Sequence, residues 1–322
     1  MRESLKKKVE LFGDNIHTLK KKFKWQNAIL KRLSALIYAG NGRQIDTKAL
    51  LESYDLIKEK TGVLSNFRGT SAMTVFTMLS LLDDREKQLI NSIKVYEMMK
   101  EKKFWPCDFL VLAAYQIAAH SNEDKYVETI DRAKAFYDGM KEQHRFITGQ
   151  NDYIIAATLA ISDIDIEQGL LRMEELYRFF KPEFKVGESV MILSQMLLLG
   201  GNHDKAKDIV LELSSKFRKK GMKIYKRYTL PLLGVLSMLS AKPDTLLDEV
   251  EKTYKMLRSK KGLGPYTVSK QEMLIISSAL VSFDHADDEK NMLLSTTLSV
   301  VITNIIVAQQ TAVVIATTTT GS

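Results

Sequence analysis

Apolar positions along the chain fall into two kinds of segment that alternate. One kind is short and apolar almost throughout: "LSALIYA" (33–39), "MLSLL" (78–82), "LAAYQIA" (112–118), "AATLAIS" (156–162), "SQMLLLG" (194–200), "LGVLSML" (233–239) and "ISSALVS" (276–282). The other kind shows apolar residues only every three or four positions among charges, as in "VYEMMKEKKF" (95–104) and "FYDGMKEQHRF" (136–146). A single apolar stripe of that period predicts an amphipathic helix, and a segment apolar on most faces predicts an interior one.

The second kind repeats. An aromatic residue opens its last turns at Tyr54, Tyr96, Tyr137, Tyr177, Phe217 and Tyr254, with steps of 42, 41, 40, 40 and 37. Three positions later stand Ile57, Met99, Met140, Phe180 and Leu257, and four later Lys58, Lys100, Lys141, Lys181 and Arg258. Each turn is therefore expected to carry one core contact and one solvated charge. Between the apolar segment and the aromatic helix lie candidate capping residues: Asp84, Ser121 with Asp124, Asp165 with Gln168, Asn202, and Thr245 with Asp248. The unit reads as helix, tight turn, helix, link. The expected fold is all-α, an irregular array of antiparallel helical hairpins, α-solenoid-like, with a period of about 40 residues. That period is nearer to HEAT-like hairpins than to the tetratricopeptide unit, whose Trp/Leu-Gly/Tyr pattern is missing.

Composition agrees. Five prolines and sixteen glycines in 322 residues leave little material for turn-rich β architecture. Cys107 is the sole cysteine, which excludes an intrachain disulfide and a thiolate metal cluster, and a cytoplasmic setting is expected. The opening "MRESLKKKVELFGDN" has no continuous apolar run, so no secretory signal is expected there.

The segments "RAKAFYDGMKEQHRFITGQNDYIIAATLAISDIDIEQGLLRMEELY" (132–177), "YTLPLLGVLSML" (228–239), "SKQEMLIISSALVS" (269–282) and "IIVAQQTA" (305–312) resemble an uncharacterised bacterial family, the domain-of-unknown-function family numbered 4003. The resemblance implies a bacterial cytosolic protein and carries over no catalytic residue.

Chemistry is sparse. No two of His17, His120, His144, His203 and His285 share ligand spacing on one helix. "DHADDE" (284–289) gathers carboxylates that suit a hard cation, but acids just before a last apolar segment also suit a helix N-terminus, and that is the expectation. The glycines of "GNGR" (40–43) and "KGLGPY" (261–266) are expected in turns. Cys107, after Pro106 at a helix start, is expected to be a small buried residue rather than a nucleophile. No catalytic, cofactor or metal site is assigned.

One polar series follows the repeat. Arg68, then Gln150, Asp152 and Tyr153 with His144 close by, then Glu188, then Arg227 and Tyr228, then Lys270 and Glu272 all open apolar helices. In an array they fall along one edge and form a candidate partner-binding rim.

Nearly all of the +8 net charge lies before residue 33, where ten Lys/Arg meet three Asp/Glu. Leu5, Val9, Phe12, Ile16, Leu19 and Phe23 form an apolar seam on a helix that also bears Lys6, Lys7, Lys8, Lys20, Lys21 and Lys22. Residues 1–24 are expected to cap the array formed by 25–290, with an acidic surface as a possible partner of those lysines. No aromatic-interleaved basic stripe continues down the chain, so nucleic acid is not expected.

Residues 291–322 hold no charge, and "LSVVITNIIVAQQTAVVIA" (298–316) is long enough to cross a membrane. Asn304, Gln309 and Gln310 in its middle argue against anchoring. The tail is expected to pack as a last helix or to pair with a second subunit. The functional expectation is a non-catalytic module that binds a peptide or protein through its helical surface. Competing readings are an enzyme, such as a hydrolase, built around His144, Asp152 and Tyr153, and a peripheral membrane protein.

Overall fold

The computed structural model describes residues 1–200, 203–224, 228–287, 303, 306–308 and 311–315. They are helical, with no strand among them. Contacts divide the chain into two compact units: a terminal unit of Met1–His17, Tyr38–Gln44 and Leu171–Ile306, and a middle unit of Thr18–Ile37, Ile45–Leu170 and Val307–Ser322.

The helix α1 (Glu3–Lys22) opens with Glu3 and closes with Lys20, Lys21 and Lys22, the polarity that a helix dipole favours. The five seam residues from Leu5 to Leu19 are buried on it, and Phe23, expected to continue the seam, is buried just past its end. α2 (Ala28–Gly40) and α9 (Ile166–Phe180), like α1, contribute residues to both units.

In the middle unit α3 (Thr47–Lys60) packs on α4 (Ala72–Leu79), and α5 (Arg85–Glu101) on α6 (Asp108–His120). α8 (Tyr153–Ile161) packs on both α6 and α7 (Tyr126–Gln143). α4, α6 and α8 are the apolar segments, and they are buried on nearly every face: each residue of Ala72–Leu79 and of Tyr153–Ala160 is buried. Two of their hydroxyls turn back onto their own helix, Thr77 donating to the Met73 carbonyl and Thr158 to that of Ile154. α5 and α7 bury a single stripe, with Leu89, Val95 and Met99 on one and Ile130, Phe136 and Met140 on the other. α7 meets the residue that ends the unit's share of α9 at Gly139, where any side chain would collide with Leu170.

In the terminal unit α12 (Pro231–Ser237) lies against α10 (Gly187–Leu199), α11 (His203–Lys219) and α14 (Lys270–Asp287). α13 (Pro243–Ser259) packs on α11 and α14.

Of the repeating aromatics, Tyr96, Tyr137 and Phe217 are buried, while Tyr54, Tyr177 and Tyr254 are half-buried at the margin of the stripe. The basic residue four positions on is not simply solvated. Lys58, Lys100, Lys141 and Arg258 lie 4.5, 5.5, 5.5 and 5.1 Å from the ring centroids of Tyr54, Tyr96, Tyr137 and Tyr254. One turn of helix brings residue i+4 above residue i, so the cation covers the ring's negative face.

The caps divide similarly. Asp84 accepts the Lys87 amide and Asp165 that of Gln168. Thr245 lies inside α13, because Pro243 opens that helix two residues earlier. Ser121 closes α6 instead of opening α7. Asn202 falls outside the described residues.

The acidic run is where sequence and structure part most clearly. α14 continues to Asp287, so Asp284, His285 and Asp287 occupy its last turn, where the dipole disfavours acids. Arg2, just before α1, and Lys8 within it offset this. Arg2 bridges Glu249 of α13 (3.1 Å) and Asp284 (2.6 Å), and Lys8 meets Asp287 (2.7 Å) and the Gly40 carbonyl (2.8 Å). His285 Nε2 lies 2.6 Å from Glu249. Lys8 is thus buried within the unit and not available to an acidic partner, whereas Lys6, Lys7, Lys20, Lys21 and Lys22 are exposed.

In the tail Thr303, residues 306–308 and 311–315 are helical, and Ile306, Val307, Thr311 and Val314 are buried. Asn304, Gln309 and Gln310 lie outside the described residues. No helix among the described residues is long and apolar enough to cross a membrane.

The clasp makes a stability prediction. Burial alone would raise the Glu249 carboxyl, but the hydrogen bond with His285 and the charge of Arg2 outweigh it and hold the group below its ordinary 4.5. A depressed carboxylate stabilises the fold above its unfolded pKa and loses that contribution as pH falls through the folded value. Glu249→Gln should therefore cost stability at pH 7, and its deficit against the natural chain should shrink below about pH 4.5 in urea titrations. Arg2→Met, which removes the cation that bridges two buried carboxylates and leaves Glu249 with His285, should cost about 3 kcal/mol.

Candidate functional site

In the middle unit two kinds of connecting segment alternate along the chain, the links 23–27, 61–71, 102–107 and 144–149 and the turns 80–84, 121–125 and 162–165. The links together are called the link edge and the turns the turn edge. The links are bonded in series. The Ser71 amide donates to Asp108 at 2.6 Å, tying the second link to the start of α6. The Trp105 amide donates to the Tyr153 hydroxyl at 3.2 Å, tying the third link to the start of α8. Trp25 of the first link packs on Tyr54 of α3, with ring centroids 5.4 Å apart.

The polar residues expected to form a rim make many of these internal bonds. Arg68 donates to Thr61 Oγ1 at 3.1 Å and also to the Lys58 and Thr61 carbonyls, closing the open end of α3. Asp152 is buried and accepts the Gly149 amide at 2.8 Å. Tyr153 is buried in an aromatic cluster, 5.0 Å from Phe104 and 4.8 Å from Tyr137. Burial pushes the Tyr153 and Tyr137 hydroxyls above their ordinary range. His144 ends α7 and is half-buried, with its amide on the Met140 carbonyl, and Gln150 is exposed. Burial also pushes the Cys107 thiol up, away from nucleophilic reactivity.

In the terminal unit Glu188 stands in the first turn of α10, Tyr228 just before α12, and Lys270 and Glu272 in the first turn of α14. The Glu272 amide donates to Ser269, which caps α14. Arg258 holds the preceding loop through the Leu263, Val268 and Ser269 carbonyls. Arg227 lies outside the described residues. Among those described, no group of three or more His, Cys, Asp or Glu side chains is placed to hold a metal ion.

What faces solvent at the link edge is apolar. Trp25 is 59% exposed, Val63 80%, Leu64 96%, Trp105 67% and Phe146 98%, so each of the four links presents at least one large apolar tip. These include both tryptophans of the chain. The link sequences also carry Lys24, Arg68, Lys102, Lys103 and Arg145 and no acid. In the terminal unit Val186 and the fully exposed Tyr266 occupy links with Lys181, Lys185, Lys260 and Lys261.

The turn edge has the opposite character. Its three turns carry six acids, Asp83, Asp84, Glu123, Asp124, Asp163 and Asp165, against Lys125. Two shallow polar grooves of about 380 Å³ each lie side by side there and share Ser121 and Asn122. One is bounded by Asp83, Asp84 and Tyr126, the other by His120, Arg132 and Asp163. Arg132 braces the second groove through the Ala160, Ser162 and Ile164 carbonyls.

A protein-family model matches residues 15–311 and is described as a protein of unknown function, DUF4003. The chain belongs to that family. Neither the curated proteins nor the solved structures searched contain a match to it. The family match covers the links and both edges of the middle unit.

The third link holds one strained residue. Lys103 has φ +66°, and the Phe104 amide reaches back to the Met99 carbonyl in a helix-ending motif that favours glycine. Lys103→Gly should therefore raise stability by about 1 kcal/mol, measured by chemical denaturation. Tyr153→Phe, which removes the acceptor of the Trp105 amide, should lower stability by about 1 to 2 kcal/mol and increase hydrogen exchange at Trp105.

Proposed function

We propose that the chain is a non-catalytic docking module whose link edge receives a macromolecular partner. The observation that carries this reading is the series of exposed apolar tips, at least one on each of four consecutive links, set among lysines and arginines. Helix dipoles account for basic residues near the ends of α1, α5 and α7, but they do not account for tryptophan, phenylalanine and leucine standing in water beside them. The inter-link bonds of Asp108 and Tyr153 give the tips a fixed frame, so docking needs little ordering of the backbone. His144 and Gln150 flank Phe146 in sequence and belong to the same surface in this reading.

The architecture we propose is an array of hairpins with a period of about forty residues. The recurrent ring-and-cation pair supports it, because it falls at the same phase of α3, α5, α7 and α13. The catalytic alternative has weaker support. Asp152 and Tyr153 accept amides from Gly149 and Trp105, bonds that serve the loops themselves.

A photo-crosslinking residue at Phe146 should give adducts, protein or lipid, in cells that naturally contain the chain. Replacing Leu64 and Trp105 by serine should suppress them, and the same probe at Leu82 on the turn edge should stay unreacted. Adducts from Leu82 alone would move the binding surface to the other edge and overturn the proposal.

A further inference from the structure

We infer that the partner of the middle unit's link edge is an anionic lipid surface, engaged by insertion of Trp25, Leu64, Trp105 and Phe146 between headgroups that Lys24, Lys103 and Arg145 neutralise. This rests on the reading of that edge as a docking surface and goes further by naming what docks.

The shape of the tips favours a bilayer over a protein. Leu64 and Phe146 are 96% and 98% exposed, each on its own loop, so they stand as separate projections. A protein partner must supply a matching pocket for each anchor, and its interface core is depleted of lysine. A lipid interface deforms around each tip and favours tryptophan at headgroup level with lysine and arginine beside it. The two polar grooves lie beside the acidic turns instead.

Charge agrees with shape. Lys20, Lys21, Lys22 and Lys24 are exposed next to Trp25, Lys103 lies two residues before Trp105, and Arg145 adjoins Phe146. Lys102 pairs with Asp131 at 2.5 Å, which leaves Lys103 as the outward charge of that link. The backbone there, at φ +66°, favours glycine, yet the chain keeps a cation. Several basic residues beside apolar tips give the two signals that stable peripheral attachment requires.

The test uses the full chain and its own two tryptophans, both at this edge. It is mixed with vesicles of phosphatidylcholine alone or of phosphatidylcholine with phosphatidylglycerol. On the anionic vesicles the emission should shift to the blue and become protected from acrylamide, and sedimentation should fall steeply between low and physiological salt. Leu64→Ser with Phe146→Ser should weaken binding about tenfold or more, since both residues are fully exposed and contribute little to folding. Leu82→Ser should leave it unchanged. Equal binding to both vesicles, binding without a tryptophan shift, binding indifferent to the tip substitutions, or no binding at low salt would each overturn the lipid assignment. If vesicles fail while the Phe146 crosslink persists to a protein, the docking module stands and its partner is a protein. If both fail, the docking reading falls with it.

Discussion

The inner helices have little surface left for water. α4, α6 and α8 are buried over most of their length, and the hydroxyls of Thr77 and Thr158 are directed back to their own carbonyls. Such a helix must be covered on every side. The chain meets this by following each with an amphipathic helix that turns a single stripe inward, so burial of α4, α6 and α8 dictates the alternation of segment types and the short turns between them. Links and turns follow from the alternation: a turn leads from each apolar helix into the amphipathic one after it, and a link leads on to the next apolar helix.

Covering an interior helix leaves its ends as the difficulty, because the last amides and carbonyls have no intrahelical partner. Side chains of the links and turns meet that need. Arg68 closes α3, Asp108 receives Ser71, Tyr153 receives Trp105, and Arg132 closes α8. In the terminal unit the same problem takes an ionic form, with Arg2 and Lys8 answering acids crowded at the end of α14. These are long-range bonds between segments far apart in sequence, which is why the end of α14 was not legible from "DHADDE" alone.

What was legible had a local cause. Helical class, the apolar segments, the seam of α1 and the caps at Asp84 and Asp165 each depend on residues within a turn or two of one another. The cation over each tyrosine ring was visible as spacing but not as contact, because a basic residue at i+4 suits solvent equally well in sequence. The candidate rim differs for another reason. A sequence displays which side chains are polar and not where their atoms point, and Arg68 and Asp152 point to backbone. Conversely Trp25, Leu64, Trp105 and Phe146 look like core residues in the sequence, and only their positions on the links make them surface.

The charge difference between the edges needs no selection for binding. Acids favour the start of a helix and bases its end. Glu86 and Glu128 near the starts of α5 and α7, and Lys100 and Lys141 near their ends, obey that preference. On α5 and α7, which carry most of the charge, the starts adjoin turns and the ends adjoin links, so the turns gain acids and the links gain bases. Apolar tips placed on the basic edge convert this by-product of helix capping into an amphipathic surface, whereas the same tips on the acidic edge would face repulsion from any anionic partner. Lys103 is the position where the two demands conflict. Helix termination favours glycine there, the surface favours a cation, and the chain holds lysine in a left-handed backbone.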